Sequence, residues 1–189
     1  MAGPHTFLFT DLVGFTALTA AHGDERAADV AIEFCERVRP LLPGHRAEEI
    51  KSIGDALMLR SDDPALGVLL GVRIVDELEQ VEGFPPVRVG VHSGPAVERA
   101  GDWFGTTVNV AARLCAAAGG GEVLASEATV VAAGKLGEVD IGERRLHWLK
   151  NVTEPVAART VAAREQLGRF RSRFAGLERL LGPAIGSAA

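Results

Sequence analysis

Two apolar stretches that each run into an aspartate, with a helical repeat between them, constrain this chain more than any other feature. The first is Thr6-Phe7-Leu8-Phe9-Thr10-Asp11, followed by Leu12-Val13-Gly14-Phe15-Thr16. The second is Ile50-Lys51-Ser52-Ile53-Gly54-Asp55-Ala56-Leu57-Met58, whose Gly-Asp pair reads as a hairpin turn. Between them Ala27, Val30, Ala31, Phe34, Cys35 and Val38 recur at helical spacing, and Pro40, Pro43 and Gly44 stop the repeat. A strand, a helix and a hairpin in this order lay the first strand beside the hairpin. Asp11 and Asp55 then reach one edge of the sheet.

The remaining pattern extends this start. The helical stretch 15–40 is interrupted near Gly23. Asp63 is a natural N-cap with Pro64 at the first helical position, and Leu66, Leu70, Ile74 and Leu78 give the helix over 64–80 an apolar face. Residues 87–92 read as a strand, and 95–99 as a second that ends near Asp102. A helix over 107–117 stops at Gly119-Gly120-Gly121. A short strand at 123–125, a short helix capped by Ser126, and strands near 144–149 and 155–160 follow. The order predicts an α+β fold with a ferredoxin-like β-α-β-β-α-β core and additional C-terminal α/β elements. One domain over residues 1–160 is expected. An amphipathic helix over 161–181 follows, with Leu167, Phe170, Phe174, Leu177 and Leu181 on its seam, and a flexible tail over 182–189.

Composition narrows the partners. The 189 residues carry a formal charge of -5, which argues against a generic nucleic-acid binder. No apolar run approaches the ~20 residues of a membrane helix, and the N-terminus lacks the pattern of a signal peptide. The first strand is expected within a few residues of Met1, with no regulatory domain ahead of it. Cys35 and Cys115 fall inside helices and read as buried free thiols in a reducing compartment, which predicts a cytoplasmic protein without membrane or nucleic-acid partners.

Three segments carry chemistry. Asp11 ends a strand and Gly14-Phe15-Thr16 opens a helix, a turn that offers backbone N–H groups and a positive helix end beside a carboxylate. The same residues also fit an ordinary helix cap. Asp55 adds a second hard oxygen ligand, and such a pair suits Mg²⁺ or Mn²⁺. In Gly101-Asp102-Trp103-Phe104-Gly105-Thr106-Thr107-Val108-Asn109-Val110-Ala111-Ala112-Arg113, residues Asn109 and Arg113 stand one helical turn apart, able to grip a sugar and a phosphate together. An ordinary polar helix face would look the same.

Taken in order, with Arg88-Val89-Gly90-Val91-His92-Ser93-Gly94, these segments resemble the catalytic domain of the class III nucleotide cyclases over about residues 6–160. The resemblance implies the class III cyclase fold, and two Mg²⁺ or Mn²⁺ ions on Asp11, Asp55 and the Leu12 carbonyl. It implies phosphate binding by Gly14, Phe15, Thr16, Arg88 and Lys150, the last on a looser local match. Lys51 and Asp102 match the purine-reading positions. A lysine donates to adenine N1 and an aspartate accepts from its amino group, whereas guanine leaves both badly paired; guanylyl members carry Glu and Cys or similar there. Asn109 matches the ribose-orienting residue, and Arg113 the one that stabilises charge at the α-phosphate. His92 reads as structural. The family shares each site across a dimer. The implied function is conversion of ATP to cyclic AMP and pyrophosphate by a homodimer. The implied alternatives are a guanylyl or dual-specificity cyclase, and a catalytically silent nucleotide-binding or dimerisation module.

Overall fold

Strand alternation decides what each face of the central sheet buries. The computed structural model describes residues 5–137 and 139–164. The first half consists of β1 (His5–Leu12), α1 (Phe15–His22), α2 (Asp24–Val38), β2 (Ala47–Ile53), β3 (Ala56–Ser61), α3 (Pro64–Glu79) and β4 (Val87–Gly94). The second half consists of β5 (Val97–Arg99), β6 (Asp102–Phe104), α4 (Thr106–Ala117), β7 (Val123–Ser126), α5 (Glu127–Ala133), β8 (Val139–Ile141), β9 (Arg145–His147) and β10 (Val156–Ala163). The main sheet runs β2-β3-β1-β4-β7-β10-β8, with β9 also on β10. Its first four strands are the ferredoxin-like order. The pairing of β4 with β7 is parallel, and α4 is its crossover.

Local chemistry sets the element ends. Gly23, at φ 84, breaks the long helical stretch into α1 and α2. The Asp63 side chain accepts from the N–H groups of Ala65 and Leu66 at 2.8 and 3.1 Å, closing the N-terminus of α3. Ser126 does the same for α5 through Thr129. Three details differ from the sequence reading. The segment after β4 folds back as a separate β5–β6 hairpin, strand β8 is an addition, and β10 continues to Ala163 rather than ending at 160. Residues 161–163 therefore belong to the sheet, Arg164 follows in helical conformation, and residues 165–189 of the expected helix and tail lie outside the described residues.

On one face Leu8, Leu12, Leu57, Val89 and Val91 pack against Val30, Phe34, Leu70 and Ile74 of α2 and α3. On the other, Phe7 and Met58 meet Val108 and Ala111 of α4 and Trp103 of the hairpin. Helix α4 lies unusually close to β4. A Cβ on Gly90 would collide with the Cys115 amide nitrogen and the Ala111 carbonyl. Only glycine admits this backbone contact, and it fixes the height of α4 above the sheet.

Candidate active site

The two aspartates meet at one end of the sheet. Asp11 pairs in register with Ala56 on β3 and with Arg88 on β4, and Asp55 occupies the β2–β3 turn immediately before Ala56. Burial, reinforced by the neighbouring Asp11 charge, raises the Asp55 carboxyl above its ordinary value. Arg88 lies on the same face. Its Nε donates to Asp11 Oδ2 at 2.8 Å, its Nη2 donates to the same oxygen, and its Nη1 donates to the Ala116 carbonyl at 3.2 Å. The expected phosphate-binding arginine thus rests on the first aspartate and on the C-terminal turn of α4. A cavity of about 130 Å³ opens beside them, lined by Phe9, Ala56, Ala112, Cys115 and Ala116 as well as Asp11 and Arg88.

Two mutually repelling carboxylates of this kind fit a hard divalent cation. Among the described residues no group of three or more His, Cys, Asp or Glu side chains gathers. The protein therefore offers two carboxylates there; Leu12, whose carbonyl the resemblance implies as a further ligand, follows Asp11 directly and buries its side chain in the core. Mg²⁺ binds in this sparse manner, with water and phosphate oxygens filling its other positions. Beyond Leu12, Gly14 adopts φ 82 and turns the chain into α1, so that Phe15 and Thr16 occupy its first turn.

The expected purine-reading residues meet although 51 positions separate them: Lys51 Nζ donates to Asp102 Oδ2 at 2.5 Å. Asp102 Oδ1 accepts from the Trp103 N–H at 2.8 Å. The lysine, with help from that amide, holds the Asp102 carboxyl below its ordinary value. A bulge in β2 makes this pairing possible. Glu49 opposes Leu59 and Lys51 opposes Met58, leaving Ile50 as the extra residue. Glu49 consequently accepts from Arg39, at the end of α2, while Lys51 emerges on the α4 face. Simple alternation would put both on one side, and neither this bulge nor the hairpin carrying Asp102 is evident in the sequence.

The side chains of Asn109 and Arg113 project from the exposed side of α4, one turn apart, and have no hydrogen-bond or ion-pair partner among the described residues. Lys150 is exposed in the loop before β10. The preceding Leu149 packs with Val110 and Leu114 of α4, which ties the lysine to the helix bearing Asn109 and Arg113. No hydrogen bond or ion pair joins these three residues, or the Lys51–Asp102 pair, to the Asp11–Arg88 cluster among the described residues.

His92 is a structural residue. Its Nδ1 lies 2.7 Å from Ser126 Oγ, and burial lowers its pKa to about 4, so the ring stays neutral. Cys115 was unforeseen as a wall of the cavity; burial pushes its thiol up to about 12, which leaves it inert. The sequence signal for this wall is the run of small residues Ala112, Cys115 and Ala116 at helical spacing. Both Cys35 and Cys115 are buried free thiols, as expected.

A ferredoxin-like core extended by a parallel strand, with paired aspartates at the end of its first strands, defines a nucleotide cyclase domain. Residues 2–150 match the family model of the adenylate and guanylate cyclase catalytic domain, and the chain belongs to that family. It is 37% identical over 169 residues to a pH-sensitive adenylate cyclase of Mycobacterium tuberculosis, covering 86% of this chain and 42% of the relative. An adenylate cyclase of Streptomyces griseus is 36% identical over 106 residues, 56% of this chain and 27% of the relative. The chain thus spans less than half the length of these curated relatives. A solved adenylate cyclase from Trypanosoma brucei, described in its monomeric state, superposes with TM-score 0.73 at 24% identity, covering 85% of this chain and 90% of that one. This likeness carries the fold. Among the described residues no helix is long and apolar enough to cross a membrane.

Proposed function

We propose that the protein is an adenylate cyclase whose sites are shared between two copies of the chain. The observation that carries this reading is the separation described above. The Lys51–Asp102 pair and the exposed face of Asn109 and Arg113 are complete, yet within one chain neither meets Asp11, Asp55 and Arg88. A second copy, related by a two-fold axis, would bring one set against the other and form two equivalent sites. The exposed apolar side chains Ile53, Val97 and Phe104, close in sequence to Asp55 and Asp102, support a covered surface there.

Each residue then has a task. Lys51 donates to adenine N1 and Asp102 accepts from the exocyclic amino group. Asn109 orients the ribose so that its 3′-oxygen faces the α-phosphorus in line. Attack forms the cyclic diester and breaks the bond to pyrophosphate, and Arg113 stabilises the charge that grows on the α-phosphate oxygens. Arg88, turning from Asp11, and Lys150 hold the β- and γ-phosphates together with the amides of Gly14, Phe15 and Thr16. Two Mg²⁺ or Mn²⁺ ions, held by Asp11, Asp55 and the Leu12 carbonyl, would supply activation of the 3′-hydroxyl and neutralisation of the departing pyrophosphate. His92 is neutral and engaged with Ser126, so no side chain stands out as a dedicated base. The buried free thiols support residence in a reducing, cytoplasmic compartment.

The test is complementation. Asp11→Ala and Arg113→Ala chains should each be inactive, and mixing them should restore one complete site per heterodimer. Product formation from ATP and GTP, with Mg²⁺ and with Mn²⁺, should favour ATP, and activity per chain should fall on dilution. Absence of recovered activity on mixing refutes the shared site. More product from GTP than from ATP refutes the adenine assignment.

A further inference from the structure

The carboxylate that reads the purine stands on a hairpin with little to hold it. Strands β5 and β6 contain three residues each and pair only with one another. Their turn uses two left-handed residues, Ala100 at φ 52 and Gly101 at φ 77, and every residue of β5 is exposed. A two-stranded hairpin of this size has almost no stability of its own in water.

One side chain fastens it. Trp103 is 8% exposed and is the only residue of the two strands in the core, where it joins Phe7, Met58, Val108 and Ala111. Its ring centroid lies 4.4 Å from His5 and 5.5 Å from Phe7, both on β1. The Arg60 guanidinium of β3 lies 5.0 Å above the same ring. Arg60 is itself held by Glu48 at 2.7 Å and by Asp62. The indole is therefore clamped by two strands of the main sheet.

The clamp reaches the substrate-reading atoms through one peptide. Asp102 Oδ1 accepts from the Trp103 N–H, and Oδ2 accepts from Lys51 of β2. One oxygen is tied to the hairpin and the other to the sheet. If the hairpin drifts by about 1 Å, the 2.5 Å contact to Lys51 approaches the limit of a hydrogen bond. A carboxylate free to rotate can no longer favour the amino group of adenine over the oxygen of guanine.

We propose that Trp103, clamped by β1 and by Arg60, is the positioning residue of the Lys51–Asp102 pair and thereby sets the preference for adenine. This rests on the reading of that pair as the purine selector. The indole does not touch the reacting atoms; it acts through the hairpin.

The test compares full-length wild type with Trp103→Ala, Trp103→Phe and Arg60→Gln. Steady-state kinetics with ATP and GTP are measured together with the titration of the Asp102 carboxyl by carbon NMR. Trp103→Ala should lower the ATP-to-GTP ratio of kcat/KM about tenfold, mostly through KM for ATP. Its Asp102 titration should rise toward that of an ordinary aspartate. Trp103→Phe, which keeps an aromatic anchor, should stay within about threefold of wild type. Arg60→Gln leaves the core filled and should shift both readouts in the same direction by a smaller factor, which preserves the test if Trp103→Ala does not fold. An equal loss with both nucleotides and an unmoved Asp102 titration would overturn the proposal. If wild type uses GTP as well as ATP while the Asp102 titration still moves in the variants, the adenine reading fails and the positioning role stands.

Discussion

Gly90→Ala isolates the one contact on which the height of α4 depends. The added methyl would lie 2.7 Å from the Cα of Cys115, and closer still to the Cys115 amide nitrogen and the Ala111 carbonyl oxygen. Carbon atoms settle at ~3.5–4.0 Å, so the helix must retreat by roughly 1 Å. The colliding atoms are backbone, and no side-chain rotation relieves them. Overpacking of this kind costs ~1–3 kcal/mol. At about 2–4 °C per kcal/mol for a chain of this size, the unfolding midpoint should drop by ~2–12 °C. Activity should suffer more, because α4 carries Asn109 and Arg113, and a misplacement of about 1 Å costs roughly 10²-fold.

The assay pairs calorimetry with cyclic AMP formation well below the midpoint. Two other glycines calibrate it. A Cβ on Gly71 meets side chains and no backbone, those of Val123, Val89 and Val91 at 3.1, 3.3 and 3.6 Å, on the face away from α4. Gly71→Ala should lower stability without a matching loss of rate. Gly44→Ala, with nothing within 4 Å, should change neither. A Gly90→Ala protein with kcat/KM within about twofold of wild type would refute the claim that this contact sets the catalytic helix.

Exchanging the proposed purine readers, Lys51→Glu with Asp102→Cys, should move the GTP-to-ATP ratio of kcat/KM upward by about 10²-fold, as mispaired buried polar groups at ~1–3 kcal/mol each imply. A ratio unchanged in this double variant would remove both residues from the base pocket. His92 predicts a pH dependence of stability. Its folded pKa of about 4 lies below the ordinary 6.5, so the unfolded state binds more protons between those values. The stabilisation is complete above about pH 6.5 and is lost as pH falls toward 4, at roughly 1.4 kcal/mol per unit and ~3 kcal/mol in all. Urea unfolding at pH 7 and pH 4.5 should show a smaller acid-side loss in His92→Gln than in wild type. Equal losses would mean that the ring does not carry this part of the acid lability.

The ferredoxin-like half was legible because its signals are local and strong. Alternation in residues 6–11, the helical repeat from Ala27 to Val38, the Asp63 cap and the Gly54-Asp55 turn each act over a few residues. The second half was less legible. Strands β6 and β8 have three residues each, too short for a periodic pattern, whereas β9 forms at Arg145–His147, inside the strand expected near 144–149; β10 offers its edge to both β8 and β9.

Local pattern was enough to say which chemical groups the protein carries: Asp11, Asp55, Arg88, Lys51, Asp102, Asn109 and Arg113 stand in ordered motifs along the chain. It also determined that Asp11 and Asp55 share one end of a sheet, because hairpin pairing follows from short-range pattern. Tertiary structure alone decided which groups meet. A bulge at Ile50 sends Glu49 and Lys51 to opposite faces, and a hairpin anchored by Trp103 brings Asp102 to Lys51. Arg88 turns to Asp11 because their strands are paired in register. The reason is physical. A side chain's face depends on the register of its strand with a distant partner, and a one-residue slip such as the bulge at Ile50 reverses that face without a mark in the strand's own alternation.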